Sequence, residues 1–378
     1  MELRSFTSDR KLEDSFLRFP YDLYKDDRNF IPPIERTQRQ LLDSGSAAHI
    51  DSGTVCRHFL AYSSGEICGR ISAFFNPQLR ASDNQPVGAV GLFECRNDYR
   101  AAELLLRNAC LWLKNQFGLT RVWGPLNGSI WNGYRFMTRG FDSTLFVGEP
   151  YNPPYYPLFF ERFGFHLLQE WDSLFVSGKE RLEALLPRGA ERLELLKGKG
   201  YRFENFKLSM RREQIETLRK VLISSYRGFI GFTSVSSAQF LTVFERMEPL
   251  LDPELFLLVY NPNNLPVGFA VAFPDYPDAI RAMKGKSGLT AKLAYLFHRE
   301  RQPRLNFYIG GVTPETEKEA LGLGRAGFYF IIRKALDKGY DEIMLTLRVK
   351  GNKAHGLAGR CGITAQHEYA LYEFNYEN

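Results

Sequence analysis

Leu60-Ala-Tyr-Ser-Ser-Gly-Glu-Ile-Cys-Gly-Arg-Ile-Ser-Ala-Phe-Phe75 sets one apolar run, a Ser-Gly turn and a second apolar run end to end. Two such runs about a short glycine turn predict a β-hairpin. The pattern returns at Phe256-Leu-Leu-Val-Tyr-Asn-Pro-Asn-Asn-Leu-Pro-Val-Gly-Phe-Ala-Val-Ala-Phe273, with Asn-Pro-Asn-Asn as the turn. After each hairpin come a further strand, a helix with apolar residues at helical spacing, and another strand. In the first half these are Val87 to Glu94, the helix bearing Ala101, Leu105, Ala109 and Trp112, and Arg121 to Trp123. In the second they are Leu305 to Val312, the helix bearing Phe328, Ile332, Ala335 and Leu336, and Glu342 to Leu347. Both helices stop at a glycine, Gly118 and Gly339, a common way for a helix to end. A short helix then closes each half on glycine plus an apolar residue, at Tyr155 to Phe165 and at Ala354 to Ile363.

Gly268 follows Gly69 by 199 positions and Gly362 follows Gly164 by 198, so the two halves share one frame. The expected fold is α/β of the α+β kind: two like domains in tandem, each a mixed, mostly antiparallel sheet flanked by helices. We divide the chain into residues 1–178, a connecting helix over 179–200, and residues 201–378. Two insertions interrupt the frame. The first half carries about 23 extra residues from Gly124 onward, and the second about 22 around Ala279 to Pro303. Long insertions in a compact repeat are candidate substrate-binding loops.

With 378 residues, 44% hydrophobic and 24% charged, the chain suits two soluble globular domains. Its first residues lack an apolar stretch behind their charges, and a cytoplasmic location is expected. The five cysteines are scattered, without a C-x-x-C pair, which argues against a disulfide framework or a zinc site. A net charge of +6 without a long basic run suits a phosphate-bearing small molecule or an anionic membrane surface as well as it suits nucleic acid; no nucleic acid partner is expected.

The most specific stretch is Gly310-Gly-Val-Thr-Pro-Glu-Thr-Glu-Lys-Glu-Ala-Leu-Gly-Leu-Gly-Arg-Ala-Gly327, a strand end, a glycine-rich turn and a helix start. Glycines admit a close backbone approach, and N–H groups at a helix amino terminus bind a pyrophosphate. The stretch resembles the acetyl-CoA loop of the GNAT acyltransferase superfamily, Gln/Arg-x-x-Gly-x-Gly/Ala, with Gly322 and Gly324 in the glycine places and Glu319 in the Gln/Arg place. The resemblance implies a coenzyme A thioester co-substrate held by Gly310, Gly311, Val312, Gly322, Leu323, Gly324, Arg325 and Ala326, with no metal. It further implies a strand bulge whose N–H receives the thioester carbonyl, for which Gly310 and Gly311 are the candidates. The family's usual tyrosine acid is replaced by Ala358, leaving Tyr308, Thr346 and His355 as possible proton donors.

In the first half the same frame puts Asp98, Ala101 and Glu103 in the motif places. Two carboxylates there would oppose a pyrophosphate by about 3 kcal/mol, so no thioester is expected in that half. Glu94 at a strand end is a candidate base; the alternative is an exposed or salt-bridged glutamate. Asn127, Trp131, Tyr134 and Tyr155 mix apolar faces with hydrogen-bonding groups and are candidate acceptor-binding residues.

Phe19-Pro-Tyr-Asp-Leu-Tyr-Lys-Asp-Asp27, Gly124-Pro-Leu-Asn-Gly-Ser-Ile-Trp131 and Tyr151-Asn-Pro-Pro-Tyr-Tyr156 resemble a bacterial family of paired GNAT-like proteins, some of which act as ceramide synthases. The function implied is transfer of an acyl group from coenzyme A to an amine, with a long-chain or lipid amine as one acceptor class. Two alternatives are a non-catalytic acyl-CoA-binding protein and an aminoacyl-tRNA-dependent peptidyl transferase.

The insertion from Arg281 to Arg304 holds seven basic residues against Glu300, with Leu289, Leu293, Leu296 and Phe297 at helical spacing. It reads either as a cover helix packed on its own domain or as a peripheral contact with the inner face of an anionic membrane.

Overall fold

The computed structural model describes residues 1–143, 145–247, 251–299, 304–319, 322–351 and 363–376. The first half forms β1 (Glu2–Phe6), α1 (Arg10–Leu23), α2 (Glu35–Leu42), α3 (Ala47–Ile50), β2 (Val55–Ser63), β3 (Glu66–Arg80), β4 (Pro86–Cys95), α4 (Tyr99–Phe117) and β5 (Arg121–Gly124). Its insertion holds β6 (Phe136–Arg139), followed by α5 (Tyr155–Phe163) and β7 (His166–Ser177). Then come α6 (Lys179–Ala184), α7 (Gly189–Gly198), β8 (Arg202–Asn205), α8 (Arg211–Tyr226), α9 (Ser237–Met247), β9 (Phe256–Tyr260) and β10 (Pro266–Pro274). The second insertion is α10 (Pro277–Ala282) and α11 (Leu289–His298). The chain ends on β11 (Arg304–Val312), α12 (Pro314–Lys318), α13 (Leu323–Asp337), β12 (Glu342–Val349) and β13 (Ala365–Asn375).

The hairpins lie where the pattern put them. Between β2 and β3, Ser64 and Gly65 take φ of 51° and 83°, the left-handed pair of a tight hairpin turn whose twist matches its strands. β9 and β10 pair antiparallel in the second half. The frame glycines have one job in both copies. A Cβ on Gly69 would come within 2.7 Å of Leu105 in α4, and one on Gly268 within 2.8 Å of Leu323 in α13. Each glycine lets the crossing helix lie close on the sheet, and each buried leucine then contributes about 2 kcal/mol.

All the strands join one sheet, in the order β1-β2-β3-β4-β5-β13-β7-β12-β11-β10-β9-β8, with β6 set against β13. The last strands are exchanged. β13, from the end of the chain, lies between β5 and β7, while β7 pairs with β12. The stretch read as one connecting helix is two, α6 and α7, which bury Leu182, Leu193 and Leu196 in the second half's core. The short helix expected over Ala354 to Ile363 lies, but for its last residue, outside the described residues.

The second insertion differs from a cover helix. On α11 only Ala291 and Tyr295 are buried, whereas Leu289, Leu293, Leu296 and Phe297 are 75%, 58%, 61% and 84% exposed. Among the described residues no helix is long and apolar enough to cross a membrane.

Candidate functional site: a forked strand pair in the second half

β11 and β12 run parallel and paired from Arg304 opposite Glu342 to Phe307 opposite Leu345. Beyond that point β12 stays with β7, through Arg348 opposite Asp172 and Val349 opposite Trp171, and no longer pairs with β11. Thr346 sits at the fork, its hydroxyl directed at the main-chain oxygens of Phe307 (3.2 Å) and Tyr308 (3.1 Å). Leu347, at φ 50°, bends β12 away and donates its N–H to Ser173 Oγ at 2.9 Å.

The bulge on β11 falls at Tyr308, since Ala272 faces Phe307 and Val271 faces Ile309. This corrects the expectation for Gly310 and Gly311, which stay in register with Ala270 and Phe269. Their glycine character serves α8 instead. A Cβ on Gly311 would come within 2.9 Å of Ser225, and the Gly310 carbonyl accepts the Tyr226 hydroxyl at 3.1 Å. A bulge re-aims a side chain, and Tyr308 packs its ring 5.2 Å from that of Phe273.

At the far side of β11, Gly322 caps α13 with φ 69°. Among the described residues a Cβ on Gly324 would meet nothing nearer than Val312, at 3.9 Å, which leaves room at the first turn. Four orphan N–H groups and the helix dipole make such an end an anion site. Arg325 is exposed in that turn, while the side chains of Leu323 and Ala326 are buried and leave only their backbone for binding. Glu319 supplies no cation to this loop. Arg192 of α7 lies over the loop, its Nε 3.2 Å from where a Cβ on Gly322 would stand.

Arg135, absent from the sequence-based candidates, is the most unusual charge near the fork. It is 8% exposed, and its guanidinium lies 3.7 Å over the Tyr134 ring and 4.5 Å over that of Trp171. Its backbone is at φ 80°, in the left-handed region, and its Nε is buried without a hydrogen-bond partner. Among the described residues no carboxylate pairs with it. Burial lowers its pKa to about 9, against the raising effect of Tyr308, Tyr369 and Tyr226. Burial in turn pushes the Tyr308 and Tyr226 hydroxyls up, and Arg135 opposes that rise in both. Arg135, Tyr226 and Tyr308 therefore form one electrostatic group on the side of the sheet covered by α8.

The loop that follows β6 is fixed onto the second half. Val147 donates to Asp275 Oδ1 at 2.9 Å, and Arg304 donates to the Leu145 carbonyl at 2.8 Å. Asp275 and Arg304 are themselves an ion pair at 2.5 Å. Glu149 accepts from Phe146 N at 3.0 Å and from the Tyr369 hydroxyl.

The corresponding fork in the first half is filled by the chain itself. β4 and β5 pair only at Gly88–Val122 and Ala89–Trp123. Past them, Leu126 N donates to the Val90 carbonyl at 2.7 Å, and Asn127 Oδ1 accepts the Leu92 N–H at 2.8 Å. A side chain on Gly91 would collide with Asn127 and with the Leu126 backbone. Asp98 caps its own helix through Arg100 N at 3.0 Å, Ala101 is buried, and Glu103 pairs with Arg107.

Glu94 is not an exposed strand end. Its carboxylate accepts the hydroxyls of Tyr24 (2.6 Å) and Tyr156 (2.9 Å) and stands 3.7 Å from Arg70. Burial raises its pKa, with Arg70 and the two tyrosines opposing. Tyr155 binds the Cys95 carbonyl at 3.0 Å in the same region. Trp131 donates its indole N–H to the Thr233 carbonyl at 2.8 Å, and with Asn127 it lines a polar cavity of about 240 Å³ between the halves. Tyr134 alone of the four acceptor candidates touches Arg135. His355 lies outside the described residues.

No protein-family model matches the chain. It is similar to protein YghO of Escherichia coli K12, 25% identical over 290 residues, 75% of this chain and 70% of that protein. It is also similar to a bacterial ceramide synthase of Caulobacter vibrioides, 25% identical over 370 residues, 95% of this chain and 93% of that one. Among solved structures, a tandem GNAT protein from the clavulanic acid biosynthesis pathway matches with a TM-score of 0.53 at 11% identity, covering 100% of this chain and 99% of that one. The GCN5-related glucosamine N-acetyltransferase region of a fungal multidomain β-N-acetylglucosaminidase matches with a TM-score of 0.53 at 14% identity. There the match covers 99% of this chain and 38% of the fungal protein. By its sheet, its repeated halves and these likenesses, the chain has the tandem GNAT fold.

Proposed function

We propose that the protein is an N-acyltransferase that moves an acyl group from a coenzyme A thioester to an amine, with the thioester in the second half. The observation that carries the reading is the contrast between the forks: β11 and β12 part beside an open, glycine-capped helix end, whereas Asn127 and Leu126 fill the same place in the first half. In this reading the pyrophosphate lies on the first turn of α13, held by the N–H groups around Gly324 and by Arg192 and Arg325. The pantetheine arm runs into the fork past Val312, and the thioester carbonyl meets a main-chain N–H at the Tyr308 bulge.

The amine approaches on the α8 side, where Arg135, Tyr134, Tyr226 and Tyr308 gather. Its nitrogen attacks the carbonyl carbon, the C–N bond forms, the C–S bond breaks, and the departing thiolate takes up a proton as the amine loses one. Tyr308, whose hydroxyl burial pushes above its ordinary value and which is therefore protonated near neutrality, is our candidate to give that proton. Thr346 is a poorer donor because its hydroxyl is committed to main-chain oxygens. Likeness to a ceramide synthase over 95% of the chain supports a long-chain lipid amine as the acceptor class.

The test is release of free thiol from short- and long-chain acyl-CoA, each with a panel of amines that includes a sphingoid base. Release that needs both a long-chain donor and a long-chain amine is expected, falling at least about tenfold in Tyr308→Phe with little change in KM. Binding of acyl-CoA without any amine-dependent release would replace this reading with that of a non-catalytic acyl-CoA-binding protein.

A further inference from the structure

We infer that the α10–α11 insertion is a docking surface for an anionic lipid bilayer, independent of the chemistry at the fork. α11 is turned the wrong way round for a packing helix. Its inward face offers only Ala291 and Tyr295, the latter clustered with Tyr276 and Ala279, while its larger aliphatic side chains and Phe297 are exposed to solvent. Leu289, Leu293, Leu296 and Phe297 make one stripe and are all more than half exposed. A contiguous exposed stripe of this size marks an interaction site.

Charge selects the occupant. From Ala279 to Arg299 the sequence has five lysines and arginines and not one carboxylate. Lys284, Lys286, Lys292 and Arg299 are exposed around the stripe. Among the described residues Arg281 pairs with the carboxylate of Asp278 at its own helix start, and the Arg299 guanidinium lies 5.1 Å over the Tyr276 ring. A second copy of this face would bring like charges together, and a neutral bilayer would leave the lysines uncompensated. Anionic headgroups over an apolar interior match both features, the stripe entering the acyl boundary and the basic residues the headgroup layer.

The surface is presented on a fixed base. Glu35 N donates to the Gly285 carbonyl at 2.7 Å, and Arg281 Nε reaches the Phe30 carbonyl at 3.4 Å. The hairpin of helices is thereby moored to the first half, and membrane contact would orient the whole molecule.

Cosedimentation of the full chain at low salt tests this with two kinds of vesicle, phosphatidylcholine alone and phosphatidylcholine mixed with phosphatidylglycerol. The unmodified protein should pellet with the mixed vesicles and stay in solution with the neutral ones. Leu296→Ser with Phe297→Ser, and separately Lys284→Glu, Lys286→Glu and Lys292→Glu together, should each weaken pelleting by at least about tenfold, with circular dichroism and Tm unchanged because every altered side chain is exposed. The proposal is overturned if the unmodified protein does not pellet, or if both variant sets pellet equally well. A dimer in solution that the Leu296→Ser, Phe297→Ser pair dissociates would likewise overturn it, assigning the face to a second copy.

Discussion

Arg135 is a guanidinium with two aromatic rings beneath it and, among the described residues, no carboxylate beside it, on a backbone held at positive φ. Such strain persists only where the surroundings fix it, and it gathers at functional sites. A cation fixed where an amine binds disfavours the ammonium form, so the bound amine loses its proton at lower pH and becomes a nucleophile. Arg135→Met removes that repulsion and raises the bound amine's pKa. The acid limb of the kcat–pH profile should therefore move up by about one pH unit, lowering turnover near neutrality by about tenfold. An acid limb that stays in place would reduce Arg135 to a packing role over Trp171. Neither Arg135 nor Arg192 was legible in the sequence. Each reaches the site from an element far along the chain, Arg135 to Tyr308 and Arg192 to Gly322, and no local spacing encodes such a meeting. Gly322, Gly324 and Tyr308 could be proposed from the sequence because strand, turn and helix start are contiguous there.

The loop after β5, expected as a pocket wall, also fills the first-half fork. Its amides and aromatics suggested a pocket wall. Trp131 does line a cavity, but both hydrogen-bonding ends of Asn127 are occupied, by Leu92 N and by the Asn132 carbonyl at 2.8 Å each. Asn127→Ala strands the Leu92 N–H in a buried place, which should cost about 1–3 kcal/mol and lower Tm, with coenzyme A affinity unchanged. Thermal denaturation beside calorimetry checks this, and an unaltered Tm would mean that the loop does not hold the first fork shut. The connecting stretch was legible as helix from its periodicity, and it breaks around Pro187, which lacks a backbone N–H and disfavours the helical conformation in Leu186, with Arg188 at φ 57°. The outward face of α11 was not legible, since periodicity gives a stripe without saying which way it points.

The repeat was visible along the whole chain because each copy needs a glycine under its crossing helix, Gly69 and Gly268, and a glycine to stop that helix, Gly118 and Gly339. The exchange of β7 and β13 was not, because an alternating pattern marks a strand and leaves its neighbours open. That exchange makes one sheet of two copies, with β12 of the second-half fork held by β7 of the other half. With the first fork filled by its own chain and the second unfilled among the described residues, the proposed function has each chain bind a single coenzyme A. Isothermal titration of coenzyme A tests this most directly, with Gly324→Asp in the second half and Arg100→Asp at the matching helix start of the first. Both positions have room for a carboxylate at their surface, so the folds should survive. The account predicts one site per chain, weakened at least about tenfold by Gly324→Asp and unchanged by Arg100→Asp; two sites, or equal losses in the two variants, would contradict it.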